Sequence, residues 1–531
     1  MTPLRMDEPV PAPEPLESGP SPDAPPGAEL VVVSNRQPYR HDYNDDGDVE
    51  VDRPVGGLSE ALDEVLRRDG GTWIAWGDGS ADRDIVQNDR VAVPPSDPAY
   101  TLRRVWLTDQ QVEDYYYGFS NQVLWPLCHG CVSKVHHERS FWDRYQSANR
   151  RFAEAAVEAA SEGDVVWFQD YHLGLAPRLV RSTSPASRLV HFWHVPWPSP
   201  DVFDLCPHRE DLLDGLLAND LLGFHRPSYD ENFLACVESL EGATVDWNAR
   251  RAHYRGRTTR VAAFPLGVPV ERIRRDAAGG SQERPHQRRP APHRQRGTAA
   301  GPGDDPQVDD VWSLLPGEPD LSDVRVAIGV DRLDYTKGIV QRLEGLERLW
   351  EREPRWRGEL TYVQIASESR SRIPAYSEVQ REVSETVSRI NERFGTDDWQ
   401  PIVFTTATLP KAALCRCYRQ SDVALVTPIK DGMNLVAQEY VAANLDDDGV
   451  LVLGRGAGVH DLLGEGALSV TPFDVDGIAD AIHAALTMTP ERRRERLRTT
   501  GRVVLEHDIQ GWPDRVLRSL QLPDAPRQVR S

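Results

Sequence analysis

Two series of short apolar runs alternate with helical stretches along the chain. The first series covers residues 30–34, 165–168, 189–193, 221–224 and 261–264. The second covers residues 324–330, 360–365, 402–404, 423–426 and 450–453. Short, continuous apolar runs between helices are typical of parallel strands that helices cover on both faces. The sequence therefore predicts an α/β protein with two doubly wound halves and a deep cleft between the carboxyl ends of their strands.

The composition divides the chain into five predicted segments. Residues 1–28 are rich in Pro and acidic residues and cannot pack a core, so we expect a disordered tail. Residues 271–322 are rich in Gly, Pro, Arg and His, which indicates a low-complexity insertion or linker at the domain boundary. The two domains then span 29–270 and 323–505, and 506–531 form a C-terminal helix that packs back, followed by a tail.

The charge of the chain argues against two classes of partner. Its 531 residues carry a net charge of −22, which opposes binding to nucleic acid or to an anionic membrane. It has no run of about 18 apolar residues, and its N-terminus lacks the apolar core of a secretory signal. We therefore expect a cytoplasmic protein without nucleic-acid or membrane partners, and the composition leaves a homo-oligomer open.

Lysine is scarce in this chain. Of its 61 basic residues, only four are lysines, namely Lys134, Lys337, Lys411 and Lys430. An acidic, lysine-poor surface is typical of a halophile's cytoplasm, where salt screens self-repulsion. A GC-rich genome would also favour arginine codons, but it does not account for the acidic excess.

One cysteine pair has the spacing of a metal-binding motif. Cys128 and Cys131 form a C-x-x-C, with His136 and His137 close behind. A single pair is a weak zinc signal, and small residues in a turn after Trp125 are the preferred interpretation. We expect no metal site, no cofactor and no disulfides in a large cytosolic chain.

Polar residues that suit phosphate binding follow the first predicted strand. Arg36 lies at the end of that strand, where a guanidinium suits a phosphate or carboxylate, although a surface salt bridge is an equally good interpretation. Gly56 and Gly57 precede a helical pattern at 59–68. A phosphate can approach the backbone N–H groups of such a helix start, but ordinary turns also use Gly-Gly often.

Other residues of the first half suit a sugar. Asp170 and His194 follow the runs at 165–168 and 189–193 and could bond sugar hydroxyls, although a helix cap or a structural histidine is the alternative. An aromatic-rich stretch includes Trp76, Tyr116 and Trp125. Sugar rings stack on aromatic faces, but each of these side chains taken alone is more often part of a core.

The second half carries more specific signals. Arg332 and Lys337 place two cations on the loop after a strand, and paired cations can neutralise a diphosphate leaving group without a metal. The turn at 431–434, which begins with Asp431, opens a helix whose free N–H groups can bind phosphate. Glu439, expected two turns into that helix, could accept two ribose hydroxyls. A helix cap and a solvated glutamate are the alternative.

Together these segments resemble one family, the trehalose-6-phosphate synthases, over nearly all of residues 29–515. The shared motifs are VVVSNR at 31–36, GGL at 56–58, FSNQVLWP at 119–126, DYHL at 170–173, DRLDYTKG at 331–338 and SDVALVTPIKDGMNLVAQEY at 421–440. These enzymes are retaining glycosyltransferases of the GT-B type, with two facing Rossmann-like domains. The resemblance implies transfer of glucose from a nucleotide-glucose, with UDP-glucose the first expectation, to glucose 6-phosphate.

The resemblance also assigns roles to residues. The acceptor-binding set would be Arg36, Trp76, Tyr116, Trp125, Asp170 and Arg370, with Arg36, Tyr116 and Arg370 on the acceptor phosphate and Trp125 orienting the acceptor for an α-linkage. The donor-binding set would be Gly56, Gly57, Arg332, Lys337, Leu409, Asp431, Leu435, Val436 and Glu439. The residues expected to serve catalysis are His194, Asp431, Arg332, Lys337 and Asp170, with His194 and Asp431 on the hydroxyls of the transferred sugar.

Three departures from the family pattern leave parts of this assignment open. The loop between Arg36 and Gly56 is long and acidic, residues 275–320 have no counterpart in compact members, and Gln438 stands where many members carry lysine. The nucleotide could be UDP, GDP or ADP. A synthase that uses another phosphorylated acceptor, such as glycerol 3-phosphate, and a regulatory pseudo-enzyme remain alternatives.

Overall fold

The computed structural model describes residues 29–53, 57–279, 311–315, 319, 321 and 324–521. The predicted tail at 1–28, the chain end at 522–531 and most of the predicted insertion at 271–322 lie outside the described residues. So does Gly56, one of the predicted donor-binding residues.

The first domain is built on a mostly parallel sheet. The described strands of this half are β1 (Leu30–Ser34), β2 (Arg40–Tyr43), β3 (Val49–Asp52), β4 (Thr72–Trp76), β5 (Arg90–Val93), β6 (Tyr100–Val105), β7 (Val165–Gln169), β8 (Arg188–Phe192), β9 (Leu221–Phe224), β10 (Thr244–Asp246), β11 (Arg251–Tyr254) and β12 (Arg257–Ala263). The sheet order is β10-β11-β12-β9-β8-β7-β1-β4-β6-β5, while β2 and β3 form a separate antiparallel hairpin in the acidic loop. The strands from β12 to β6 are parallel to one another. The order of these parallel strands reverses at β1, as in doubly wound folds.

Helices cover both faces of this sheet. The described α-helices between Gly57 and Ala278 are α1 (Gly57–Asp69), α2 (Asp109–Gln111), α3 (Trp125–Cys128), α4 (Arg139–Ala159), α5 (Ala176–Thr183), α6 (Pro200–Phe203), α7 (Arg209–Leu216), α8 (Pro227–Glu238) and α9 (Val270–Ala278). A π-helix at Val112–Leu124 joins α2 to α3. Because the wider turns of π-helices are frequent at functional sites, this segment marks a place to look for function.

The second domain repeats the same plan with a smaller sheet. Its described strands are β13 (Arg325–Arg332), β14 (Leu360–Ser367), β15 (Ile402–Thr405), β16 (Val423–Val426), β17 (Val450–Gly454) and β18 (Leu468–Val470). They are all parallel, in the order β15-β14-β13-β16-β17-β18. The described α-helices after β13 are α10 (Ile339–Arg352), α11 (Pro374–Phe394), α12 (Lys411–Gln420), α13 (Leu435–Ala443), α14 (His460–Leu463), α15 (Val475–Thr487), α16 (Pro490–Glu506) and α17 (Trp512–Gln521). The predicted fold class, two facing Rossmann-like domains, is confirmed.

The two domains exchange helices at their ends. Helix α9 was expected in the low-complexity segment, but it is a regular helix that packs on α12 and α13 of the second domain. Its buried residues Ile273 and Ala277 explain the difference, because they give it an apolar face. Helix α17 returns to the first domain, where Trp512 stacks on Trp167 at 5.3 Å between ring centroids and donates a hydrogen bond to the Phe264 carbonyl.

The apolar cores lie on either side of each sheet. One core cluster holds residues of both domains, including Leu62 of α1 and Ile509 near the chain end. In the part of the chain that the structure describes, no helix is long and apolar enough to cross a membrane.

Candidate active site

The predicted site residues gather where the strand order of each sheet reverses. In the first domain the reversal lies between β1 and β7, which pair in parallel with Val33 opposite Phe168, so Arg36 and Asp170 leave adjacent strand ends. In the second it lies between β13 and β16. Ligands of open α/β sheets bind in the crevice at such reversal points. The two crevices face each other across the cleft.

A cavity of about 260 Å³ occupies the first-domain side of this cleft. Six predicted site residues line it, namely Arg36, Tyr116, Trp125, Asp170, Arg332 and Arg370. Its wall also contains residues that sequence reasoning did not select, among them Asn35, Gln169, Tyr171 and His172. Because Arg332 and Arg370 come from the second domain, both domains contribute to the cavity.

Arg36 and Arg370, from different domains, meet at the hydroxyl of Tyr116. Burial alone raises the pKa of the Tyr116 phenol, but Arg370 and Arg36 more than offset burial and lower that pKa to about 8. The interaction with Tyr116 raises the pKa of Arg36 in turn. Two guanidinium groups at one point make a strong site for a dianion such as a phosphate monoester.

Arg370 is held by aromatic residues of both domains. Its guanidinium donates to the Tyr376 hydroxyl at 2.6 Å and to the Tyr171 hydroxyl at 3.1 Å. It also lies over the indole ring of Trp125, 4.1 Å from the ring centroid. Arg332 approaches the same ring at 5.3 Å, so Trp125 bridges a predicted acceptor residue and a predicted donor residue. The buried indole Nε1 of Trp125 has no hydrogen-bond partner among the described residues.

Asp170 is the only carboxylate among the described residues that line the cavity. Its Oδ1 accepts a hydrogen bond from the backbone N–H of His194 at 3.1 Å. Burial raises the pKa of Asp170 to about 6, so the group is mostly ionised at neutral pH. Its backbone has a positive φ of 70°, an uncommon conformation for a residue other than glycine and one seen at functional positions.

The imidazole of His194 is already engaged at both ring nitrogens. Nε2 lies 2.9 Å from Gln169 Oε1, and Nδ1 lies 3.3 Å from His225 Nε2. Since Oε1 can only accept, Nε2 carries the hydrogen and Nδ1 accepts from His225. Burial and the neighbouring His225 hold the pKa of His194 well below its ordinary value, so the ring is neutral. A bond from this ring to a sugar hydroxyl therefore requires the exchange of one of these partners.

Asp431 and Lys337 lie deeper in the second-domain half of the cleft. Lys337 Nζ is 2.5 Å from Asp431 Oδ2, and the same oxygen accepts from Asn434 Nδ2 at 3.1 Å. Burial alone raises the pKa of Asp431, but Lys337 outweighs it and holds that pKa below its ordinary value. Asn434 also caps α13, because its Oδ1 accepts the Ala437 N–H at 3.2 Å.

Two helices begin at the point where the domains touch. A Cβ added to Gly57, the first residue of α1, would lie 3.1 Å from Leu435 Cδ1, so the starts of α1 and α13 are in contact. A Cβ on Gly432 would lie 2.2 Å from the His194 carbonyl oxygen, so only glycine fits there. The positive ends of the two helix dipoles thus point into the same part of the cleft, which favours a bound anion.

Glu439 lies just over one turn into α13, not two, because the helix begins only at Leu435. Its carboxylate forms an ion pair with Lys411 and accepts from the Tyr418 hydroxyl at 3.2 Å. The unusual Gln438 is fully buried, and its amide donates to the Leu266 carbonyl of the first domain at 3.0 Å. This glutamine therefore contributes a contact between the domains.

The remaining predicted residues lie around this centre. Leu409, Leu435 and Val436 are partly buried and pack on the second-domain core beside Glu439. Trp76 is outside the lining of the cavity, although its ring centroid lies 6.2 Å from that of Tyr116.

The cysteine pair belongs to a turn, as preferred from the sequence. Cys128 ends α3. The next residue, His129, has its ring centroid 4.1 Å from that of Trp125, with the two rings tilted by 31°, and its Nδ1 lies 2.8 Å from the Trp125 carbonyl oxygen. All six cysteines are free thiols. Over the described ranges, no three His, Cys, Asp or Glu side chains are grouped as a metal ion would require.

The chain matches one protein family over most of its length. The family model for glycosyltransferase family 20 matches residues 28–288 and 319–522. The chain is 37% identical over 501 residues to the trehalose-6-phosphate synthase of Mycolicibacterium vanbaalenii, covering 93% of this chain and 96% of that protein.

Solved structures match over the same length. One is an α,α-trehalose-phosphate synthase (UDP-forming) from Burkholderia xenovorans in complex with glucose-6-phosphate, with a TM-score of 0.78, 31% identity and coverage of 93% of this chain and 100% of that one. Another is an E. coli enzyme bound with UDP-2-fluoro glucose, with a TM-score of 0.78, 31% identity and coverage of 94% and 100%. These matches confirm the resemblance that the motifs indicated. The chain belongs to glycosyltransferase family 20.

Proposed function

We propose that this chain transfers glucose from UDP-glucose to glucose 6-phosphate with retention of configuration, forming α,α-trehalose 6-phosphate. The observation that carries the proposal is the meeting of Arg36 and Arg370 at Tyr116, in the wall of a cavity that Arg332 also reaches. Such a pair of guanidiniums suits a phosphorylated acceptor far better than an uncharged one. The relatives named for this reaction, and those bound to glucose-6-phosphate and to a UDP-glucose analogue, support the same substrates.

Positive charge faces the leaving diphosphate in this proposal. It comes from Lys337, Arg332 and the amino ends of α1 and α13. As the bond between the glucose C1 and the diphosphate oxygen breaks, the electron pair stays on that oxygen. Preorganised cations and helix N-termini stabilise the developing charge without reorganising. We infer that these groups neutralise the diphosphate, which a divalent metal does in other nucleotide-sugar enzymes.

The carboxylates of the site favour front-face attack over double displacement. A double displacement needs a carboxylate nucleophile beneath C1. Asp170 is held by the His194 N–H, and Asp431 by Lys337 and Asn434, so both are engaged as hydrogen-bond acceptors. In the proposed step the acceptor oxygen bonds C1 on the face that the diphosphate leaves, and its proton passes to the leaving oxygen. The protein contributes positioning and charge.

An assay that crosses acceptors with donors tests the proposal. UDP-, GDP- and ADP-glucose are each paired with glucose 6-phosphate, glycerol 3-phosphate and glucose, and nucleotide release is followed. We expect the highest kcat/KM for UDP-glucose with glucose 6-phosphate. A preference for glycerol 3-phosphate would support the phosphate site but contradict glucose 6-phosphate as the acceptor. No turnover with any pair would favour a regulatory pseudo-enzyme.

The acidic, lysine-poor composition supports a second, independent proposal about conditions. With a net charge of −22, self-repulsion weakens as salt screens it. We propose that the enzyme functions in a salt-rich cytoplasm and keeps its activity in molar KCl. A cytoplasmic location stays a prediction, and a homo-oligomer stays open.

A further inference from the structure

Asp334 is a fully buried carboxylate inside the loop that carries Arg332 and Lys337. Its Oδ1 accepts the Thr336 N–H at 3.0 Å, and its backbone carbonyl accepts the Lys337 N–H at 3.0 Å. Its Oδ2 has no hydrogen-bond partner among the described residues and lies 3.7 Å from Arg370 Nη1. The family motif contains this aspartate, but neither the acceptor set nor the donor set predicted from the sequence includes it.

Three cations of the site surround this carboxylate. Burial alone raises the pKa of Asp334, yet Arg332, Arg370 and Lys337 together hold it below its ordinary value. Arg370 belongs to the predicted acceptor-phosphate site, whereas Arg332 and Lys337 belong to the predicted donor site. One anion therefore faces the cations of both substrates.

The arrangement has a clear electrostatic consequence. Three cations close together in a poorly solvated cleft repel one another strongly, and each gains by turning towards water. Lys337 has Asp431 as a direct partner. The hydrogen-bond acceptors of Arg370 are instead tyrosine hydroxyls, namely those of Tyr171, Tyr376 and Tyr116. The nearest carboxylate that offsets the charge of Arg370 is Asp334.

We propose that Asp334 is a positioning residue, the shared counter-ion that holds Arg370, Arg332 and Lys337 in their binding geometry before the substrates arrive. It contacts neither substrate in this account. The inference rests on the proposed function, because it takes the substrate anions as the ligands of these three cations.

The test is Asp334→Asn, which keeps the shape and the bond to the Thr336 N–H but removes the charge. Without the anion the cleft becomes more positive, so UDP and glucose 6-phosphate should bind about threefold or more tightly in calorimetry. Turnover should fall at least tenfold, because the cations are no longer held in the geometry of the transition state. If Asp334 had only a structural role, the substitution would lower the melting temperature. It would not raise the substrate affinity while lowering kcat.

Asp422→Asn is the matched control. Asp422 is equally buried and directly precedes β16. It accepts the Val326 N–H at 2.9 Å, so it lies beside the amino end of β13, at the opposite end of that strand from the site. It should lose stability without a change in UDP affinity or kcat. Unchanged kcat and UDP affinity in Asp334→Asn, or a loss of both, would overturn the proposal.

Misfolding of the variant and inactivity of the wild type are distinguished as follows. If Asp334→Asn does not fold, the double variant Asp334→Asn/Arg332→Gln restores the charge balance and should fold, and its failure to fold would also overturn the proposal. If the wild type binds UDP but makes no product from glucose 6-phosphate, the proposed function fails, and Asp334 is then judged on UDP affinity alone.

Discussion

Lys337 and Asp431 form an ion pair between the two loops of the second domain, with 2.5 Å between Nζ and Oδ2. The family resemblance assigns the lysine to the donor diphosphate and the aspartate to the hydroxyls of the transferred sugar. In the structure each neutralises the other. We infer that the donor replaces this pair, with the diphosphate taking the place of the carboxylate beside Lys337.

Replacing Lys337 should therefore cost turnover more than binding. In Lys337→Ala the leaving group loses one preorganised charge contact, so kcat should fall about 100-fold, equivalent to roughly 3 kcal/mol of transition-state stabilisation. Lys134→Ala is the control, because Lys134 is a half-exposed lysine paired with the exposed Glu378. A kcat of Lys337→Ala within about threefold of the wild type would reject the role.

Arg370 should determine the use of a phosphorylated acceptor. We expect Arg370→Ala to raise the KM for glucose 6-phosphate roughly 10- to 100-fold, since a charge-assisted contact is lost. The KM for UDP-glucose should change much less. Unphosphorylated glucose should be a very poor acceptor for the wild type.

Arg372→Ala is the matched control for this prediction. Arg372 is two residues away but mostly exposed, where it pairs with Glu113 at 3.6 Å. Steady-state kinetics with each substrate varied in turn make the comparison. A defect confined to the donor's KM, or equal use of glucose and glucose 6-phosphate, would contradict the acceptor site.

Tyr116 should give acceptor binding a dependence on pH. Its pKa is lowered to about 8, so the phenol is neutral at pH 7 and mostly ionised at pH 9. A phenolate competes with the acceptor phosphate for Arg36 and Arg370, and the phosphate itself is already a dianion throughout this range. If only the neutral form binds, the KM for glucose 6-phosphate is about tenfold higher at pH 9 than at pH 7. Tyr116→Phe should abolish this rise, and a rise that persists in the variant would assign it to another group.

Activity should not depend on a divalent metal. Arg332, Lys337 and two helix starts supply positive charge at the predicted leaving group, so turnover should survive exhaustive dialysis against EDTA. Loss of activity that magnesium or manganese restores would show that the diphosphate needs a metal partner as well.

Strand positions could be predicted from the sequence because apolar runs directly reflect burial. The runs at 30–34, 221–224 and 423–426 coincide with β1, β9 and β16. The apolar runs do not predict β4 and β6, because polar residues interrupt β6 and the two tryptophans of β4 fit an aromatic-rich stretch as well as a strand. The packing of α9 on the second domain could not be predicted either. The Gly-, Pro- and Arg-rich residues that follow it favour a linker, and the helix has only a short apolar face, which includes Ile273 and Ala277.

The limits of site prediction follow from the same physics. Residues at strand ends, such as Arg36 and Asp170, can be located because a parallel sheet places all carboxyl ends at one edge. The partners of other site residues cannot be located from the sequence, because they come from distant segments of the chain. Tyr171 and Asp334 contact Arg370, and His225 contacts His194. The engagement of both His194 ring nitrogens is of this kind.

The product formed from UDP-glucose and glucose 6-phosphate tests the central claim most directly. The purified full chain is incubated with UDP-glucose labelled with ¹³C at the glucose C1 and with glucose 6-phosphate, and the product is examined by NMR. We predict a non-reducing disaccharide monophosphate. Its labelled carbon keeps the α configuration and is linked through the glycosidic oxygen to the acceptor's anomeric carbon, which is also α. A β-configured label, a linkage to any other acceptor hydroxyl, or free glucose as the only labelled product would contradict the account.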